Sequence, residues 1–158
     1  MAATSRILTA VLFLVIFSNS KGKYQQVVIE IAGKNENEPA KIFSESELRQ
    51  FDGSDSDKPV YLAVRGVVFD VTEGKDFYGK GAAYNQLAGK DASYAIATWS
   101  LEDKDMHHDI SSLSDNELKG LDDVFIGTYK KKYPIVGYLQ YLIDKHADKV
   151  SERLRGEL

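Results

Sequence analysis

The stretch VYLAVRGVVFDV, residues 60–71, decides the fold. It holds two short apolar, β-branched runs, 60–64 and 67–71, separated by Arg65-Gly66. Two such runs joined by two residues, one of them glycine, predict a β-hairpin. Upstream, Ser44-x-x-Glu47 is a capping box, in which each side chain answers the other residue's backbone N–H. It predicts a short helix over about 45–51, with Leu48 and Phe51 on one face and Asp52-Gly53 ending it. Downstream, Ser114-x-x-Glu117 is a second capping box. Leu118, Leu121, Phe125 and Tyr129 follow at spacings of three and four, which predicts an amphipathic helix over 115–130. Pro134 stops it, and IVGYL, residues 135–139, reads as a strand.

Between hairpin and second helix, Asp91 is placed to cap a short helix over 92–99. Ala95, Ala97 and Thr98 are small enough for close approach to a flat or bulky neighbour, and Trp99 is expected in the core. His107-His108 falls in a polar stretch and reads as a solvated loop. The C-terminal residues turn helical again, with Leu139, Leu142, His146, Val150 and Leu154 along one stripe. Strands and helices without regular βα alternation predict an α+β fold.

Composition narrows the function. The chain has 158 residues, enough for one domain with residues to spare at its ends. With 20 Lys+Arg against 24 Asp+Glu there is no basic excess, so no nucleic-acid partner is expected. There is no cysteine, which excludes disulfides, thiolate zinc, iron–sulfur clusters and a cysteine nucleophile. Three histidines are too few for a histidine-rich metal centre, although two suffice for a haem. No Ser/His/Asp arrangement, phosphate loop or metalloprotease motif is present, and the chain is not expected to be an enzyme.

Residues 1–20 carry the pattern of a secretory leader: Arg6, then an apolar run over 7–17, then Ser18-Asn19-Ser20. A run of 11 residues, apolar apart from Thr9, falls short of the roughly 20 needed to cross a bilayer. The expectation is cleavage after Ser20, a mature chain without a transmembrane segment, and an extracellular destination. Residues 21–41 read as an N-terminal segment and linker, polar over 33–41 and broken by Pro39; 27–31 is a short strand or an unanchored piece. The chain ends Arg155-Gly156-Glu157-Leu158. This resembles an endoplasmic-reticulum retrieval signal with glycine in place of an acidic residue, and secretion is the expected outcome.

Three further runs carry a resemblance: YLAVRGVVFDVT (61–72), GKDFYGKGAAYNQLAGKDAS (74–93) and KYPIVGYL (132–139). Together they resemble the membrane-associated progesterone receptor family of cytochrome b5-like haem/steroid-binding domains. The likeness covers about residues 42–139 and leaves 140–158 as a helical tail. It implies a small sheet and short helices around a ligand pocket. The His-Pro-Gly-Gly motif of true cytochrome b5 is missing. The resemblance instead implies that Tyr84 is the axial ligand to ferric haem b, and that Tyr78, Lys132 and Tyr133 line the same pocket.

These residue types suit that chemistry. Tyrosinate is a hard anionic oxygen donor, and tyrosine-ligated haem is a known arrangement. A phenol with a reference pKa of about 10 must lose its proton to bind, and Fe(III) supplies the driving force. The two glycines between Tyr78 and Tyr84 allow a turn in which one phenol donates to the other's oxygen. Lys132 suits a haem propionate, or alternatively a helix C-terminus, since it closes the run Lys130-Lys131-Lys132. The expected function is a secreted haem-binding signalling protein acting through a cell-surface receptor. A lumenal haem or sterol binder and a b5-type electron carrier are the alternatives.

Overall fold

A computed structural model describes Tyr24, Ile29 and residues 40–156, with side chains through Asp148. The leader over 1–20, the rest of the segment 27–31, most of the linker, the side chains of Val150 and Leu154, and the last two residues lie outside the described residues.

The hairpin forms as expected. Strands β2 (Tyr61–Val64) and β3 (Val67–Asp70) pair antiparallel, with Leu62 opposite Phe69 and Val64 opposite Val67. Arg65 and Gly66 both have positive φ, 55° and 78°, the pattern of a type I′ turn that matches the strand twist. Its residues are apolar on both faces because both faces are covered. Leu62, Val64, Val67 and Phe69 enter the main core, and Ala63 and Val68 pack with Phe43, Leu48 and Leu139 on the other side.

Strand β4 (Ile135–Leu139) runs antiparallel to β3, with a register shift at Val68/Phe69. A two-residue strand, β1 (Ile42–Phe43), pairs parallel with β4, so the sheet order is β1-β4-β3-β2. Gly137 permits that pairing: a Cβ there would lie 2.3 Å from the Lys41 carbonyl oxygen and 2.7 Å from the Phe43 ring. The far edge of the sheet is covered by residues 89–92. The Gly89 N–H donates to the Tyr61 carbonyl (2.7 Å), and Ala63 exchanges bonds with Lys90 and Ala92 (2.8 Å each).

Both capping boxes are present. Ser44 and Glu47 start helix α1 (Glu45–Leu48), which tightens into a 3₁₀ turn over Arg49–Phe51. Helix α2 is Lys75–Tyr78 and α3 is Ser93–Thr98. Ser114 and Glu117 start α4 (Asp115–Val124), and the expected 115–130 helix changes character at Phe125. Phe125–Lys130 is π-helical, a wider turn often found at functional sites. Helix α5 (Gln140–Gly156) follows β4 directly.

Four sequence readings are revised. Trp99 is not core: it ends α3 with φ 55° and is 85% exposed, and Ala95 and Ala97 fill the buried face instead. Asp91 does bond the Ser93 N–H, but α3 begins one residue late and Asp91 itself is buried. His107 and His108 are partly buried, stacked on Tyr94 (4.6 Å between centroids) and Tyr141 (4.0 Å). Within the segment read as a linker, Tyr24 is tied to α4. Its N–H donates to Asp115 (3.1 Å) and its hydroxyl to Asp122 (3.0 Å).

Candidate functional site

The glycine-rich loop after α2 is held by its own backbone. Gly79 closes the helix, its N–H donating to the Lys75 carbonyl at 2.7 Å; a Cβ there would sit 2.5 Å from that same oxygen. The Tyr84 N–H then donates to the Phe77 carbonyl (2.9 Å), bringing the chain back on itself. The Asn85 side chain pins the result, donating to the carbonyls of Tyr78 (2.8 Å) and Asp52 (2.9 Å). The fold-back expected from the glycines is therefore present, and the rings of Tyr78 and Tyr84 stand 6.4 Å apart between centroids.

The expected bond between those two phenols is not what forms. The Tyr78 hydroxyl faces that of Tyr129 at 3.4 Å, and among the described residues no hydrogen bond joins Tyr78 to Tyr84. Tyr133 meets Tyr78 edge-on, with centroids 6.1 Å apart, and lies 6.1 Å from Tyr129. The Tyr133 hydroxyl also reaches over Gly74, where a Cβ would stand 2.8 Å from it. Four tyrosines thus share one cluster. Tyr129 was hidden in the sequence as a member of the α4 stripe. Its signal was the four-residue spacing to Tyr133, one helical turn, which places both on the same face.

Burial grades the cluster. Tyr78 and Tyr129 are buried, Tyr133 is partly buried, and Tyr84 is 46% exposed. Burial, reinforced by neighbouring Tyr78, holds the Tyr129 phenol well above its usual range. Tyr133 is raised for the same reasons, more modestly. These phenols stay protonated and act as hydrogen-bonding groups. Tyr84 is the most exposed of the four, and Phe77 beside it in the loop is 57% exposed. Lys132 is exposed on the last helical turn before Tyr133, and the structure gives it no ion pair among the described residues.

The donor set fits a haem iron. Among the described residues no three His, Asp or Glu side chains gather to hold a bare metal ion. A haem iron already has four nitrogen ligands and asks one hard donor of the protein, which an accessible phenol supplies. Exposed aromatic surface at Phe77 and Tyr84 suits the macrocycle's face. The histidines are elsewhere: His107 and His108 line a separate cavity, and His146 lies on α5.

A four-stranded mixed sheet, short helices around it and a glycine-rich loop carrying the half-exposed Tyr84 define a small α+β ligand-binding domain. The family model for the cytochrome b5-like heme/steroid binding domain matches residues 44–140, and the chain belongs to that family. It is similar to membrane steroid-binding protein 1 of Oryza sativa subsp. japonica, 46% identical over 101 residues, covering 58% of this chain and 44% of that one. It is also similar to a neuferricin homolog of Caenorhabditis elegans, 36% identical over 96 residues, covering 61% and 29%. The chain therefore spans less than half the length of these curated relatives. A solved Arabidopsis thaliana structure with a cytochrome b5 like fold matches with a TM-score of 0.58 and 40% identity, covering 63% of this chain and 91% of that one.

Proposed function

We propose that the chain is a secreted, neudesin-like haem-binding signalling protein that holds ferric haem through an axial Tyr84 tyrosinate. The carrying observation is the half-exposed Tyr84 beside a cluster in which the Tyr78 and Tyr129 hydroxyls face each other in the interior. In this reading Tyr84 would hold the iron as its phenolate, Tyr78 would pack beside it, and Tyr133 and Lys132 would serve the propionates. When bound, the group would supply an iron centre held by Tyr84. The leader pattern over 1–20 supports secretion, and the receptor is a cell-surface protein recognised through the folded domain. Among the described residues no helix is long and apolar enough to cross a membrane. Binding, not catalysis, is the activity in this reading.

The printed names of several relatives, membrane steroid-binding proteins of Oryza sativa and Arabidopsis thaliana, support a second reading in which the ligand is a sterol held without iron. Titration of residues 21–158 with haemin separates the two. A ferric charge-transfer spectrum that is lost in Tyr84→Phe supports the haem reading. No spectral change, with saturable binding of a labelled sterol, supports the other. Deleting residues 155–158 leaves the secreted fraction unchanged in cultured cells if the altered terminus is not a retrieval signal.

A further inference from the structure

A helix leaves its last carbonyls without helical partners, and α2 ends directly in the glycine-rich loop. Two neighbouring residues fill that gap. The Tyr84 N–H donates to the Phe77 carbonyl at 2.9 Å, and the Asn85 side chain donates to the Tyr78 carbonyl at 2.8 Å. The second Asn85 hydrogen goes to the Asp52 carbonyl at 2.9 Å, in the turn after α1. Both partners are carbonyl oxygens and only accept, so chemistry fixes which end of the amide faces them. Asn85 is half-buried, and both hydrogens of its NH₂ are used. Among side chains of this size asparagine alone brings two donors: an ionised aspartate brings none, serine and threonine one.

The turn at Asp52 is a firm support. Its carboxylate accepts from the Ser54 N–H at 2.8 Å. Gly53, at φ 79°, lies close against the loop: a Cβ there would stand 3.3 Å from Gly79 Cα and 3.4 Å from the Lys80 nitrogen. On the other side a Cβ on Gly89 would stand 2.9 Å from Asp52 Cβ, and the Gly89 N–H is bonded to the Tyr61 carbonyl of β2 at 2.7 Å. A continuous path of bonds and close packing thus runs from the sheet edge through Gly89, Asp52 and Asn85 to the residue beside Tyr84. The loop tip lacks such support. Lys80 is exposed, and a Cβ on Gly81 would meet nothing within 4 Å. The position of the loop therefore depends on how its ends are held.

We infer that Asn85 is a positioning residue that sets where the loop presents Tyr84, with the Asp52-Gly53 turn as its anchor. The inference rests on the reading of Tyr84 as the haem ligand and deepens it. Loss of the two bonds releases the loop at its Tyr84 end and leaves two carbonyls unpaired, so the phenol no longer keeps one place. Removing a group that orients a metal ligand costs roughly 10–100-fold in affinity.

The test compares the full chain with three variants. Asn85→Leu has nearly the same shape and no donor, Asn85→Ser retains at most one donor, and Gln86→Ala alters the exposed neighbouring residue. One arm needs no ligand: trypsin cuts after Lys80, and the rate at that bond reports how often the loop opens. Cutting is expected to be several-fold faster in Asn85→Leu, less so in Asn85→Ser, and unchanged in Gln86→Ala. The other arm is haemin titration, with the wild-type chain as reference. Affinity is expected to fall roughly tenfold or more in Asn85→Leu, with a shifted ferric charge-transfer band. A purely structural role would lower the denaturant midpoint and move neither that band nor the preference for cutting at Lys80. Wild-type cutting in both Asn85 variants, wild-type affinity and band in both, or the same losses in Gln86→Ala would each overturn the inference. If Asn85→Leu does not fold, Asn85→Ser decides alone. Haemin that does not bind the wild-type chain sinks the haem reading instead, and cutting at Lys80 then decides the role of Asn85.

Discussion

The hydroxyls of Tyr78 and Tyr129 face each other at 3.4 Å inside the domain, while Tyr84, 46% exposed, is the most exposed phenol of the cluster. A ligand role for Tyr84 is thereby separable from the roles of its neighbours. Tyr84→Phe is expected to lower ferric haem affinity at least tenfold, a loss of about 1.4 kcal/mol or more. Tyr94→Phe, whose ring stacks on His107 away from the loop, is expected to change it less than twofold. Parallel haemin titrations check this, and superimposable curves for the two variants would remove Tyr84 as ligand.

The same pairing governs behaviour in alkali. Burial keeps the Tyr129 phenol protonated well above its usual range, so its folded pKa exceeds the unfolded value of about 10. Its contribution to stability is complete below pH ~10 and is lost as pH rises further, because the unfolded chain releases that proton more readily. Tyr141, held by burial and then by Asp91, acts in the same direction. Tyrosinate absorbance measured alongside circular dichroism should show neither residue ionising before the fold is lost. A tyrosinate step between pH 10 and 11 that vanishes in Tyr129→Phe, with the native dichroism intact, would contradict this.

Asp91 ties three parts of the chain together. Its carboxylate accepts from the Gly66 N–H in the hairpin turn (2.9 Å), the Ser93 N–H at the start of α3 (3.0 Å) and the Tyr141 hydroxyl in α5 (2.8 Å). Ser93 extends the set, its hydroxyl donating to Asp91 and accepting from the Arg65 N–H at 2.6 Å. Burial pushes the Asp91 carboxyl upward, and these donors pull against that. Asp91→Ala leaves several buried donors without a partner, each worth roughly 1–3 kcal/mol. The expected loss is at least ~2 kcal/mol, read as a lower denaturant midpoint. Asp91→Asn, which keeps one acceptor oxygen, should lose less; equal losses would mean that packing alone is at stake.

Much of this architecture was legible because the relevant signals are local. The hairpin rests on two β-branched runs and Gly66, the helix starts on serine and glutamate three residues apart, and α4 on the stripe from Leu118 to Tyr129. The rest depends on partners distant in sequence. Strand β1 is two residues long and shows no alternation, so only its pairing with Tyr138 and Leu139 reveals it. Asp91 looks like a local cap until Gly66 and Tyr141 arrive. Trp99 looks like core until the positive φ turns it outward. At the site, the loop glycines announced the fold-back of Tyr78 and Tyr84. The preference of Tyr78 for Tyr129 depends on how α2 lies against the π-helical turn, which no spacing records.

The haem reading also predicts a coupling of affinity to redox state and pH. Tyrosinate neutralises charge on Fe(III); Fe(II) carries one charge fewer and has less preference for a hard anion. Reduction by dithionite should therefore weaken the bond to Tyr84, and haem should pass faster to an acceptor such as apomyoglobin. Acid acts in the same direction through the ligand, because protons compete with iron for the phenolate oxygen and affinity falls as pH falls. A site with two imidazole ligands would respond differently, since neutral imidazole serves both oxidation states. The measurement is the transfer rate from residues 21–158, ferric against ferrous, at two pH values. The expected order is ferrous faster than ferric, and ferric faster at the lower pH. A ferrous rate equal to or below the ferric rate would count against tyrosinate and return weight to an electron-transfer role.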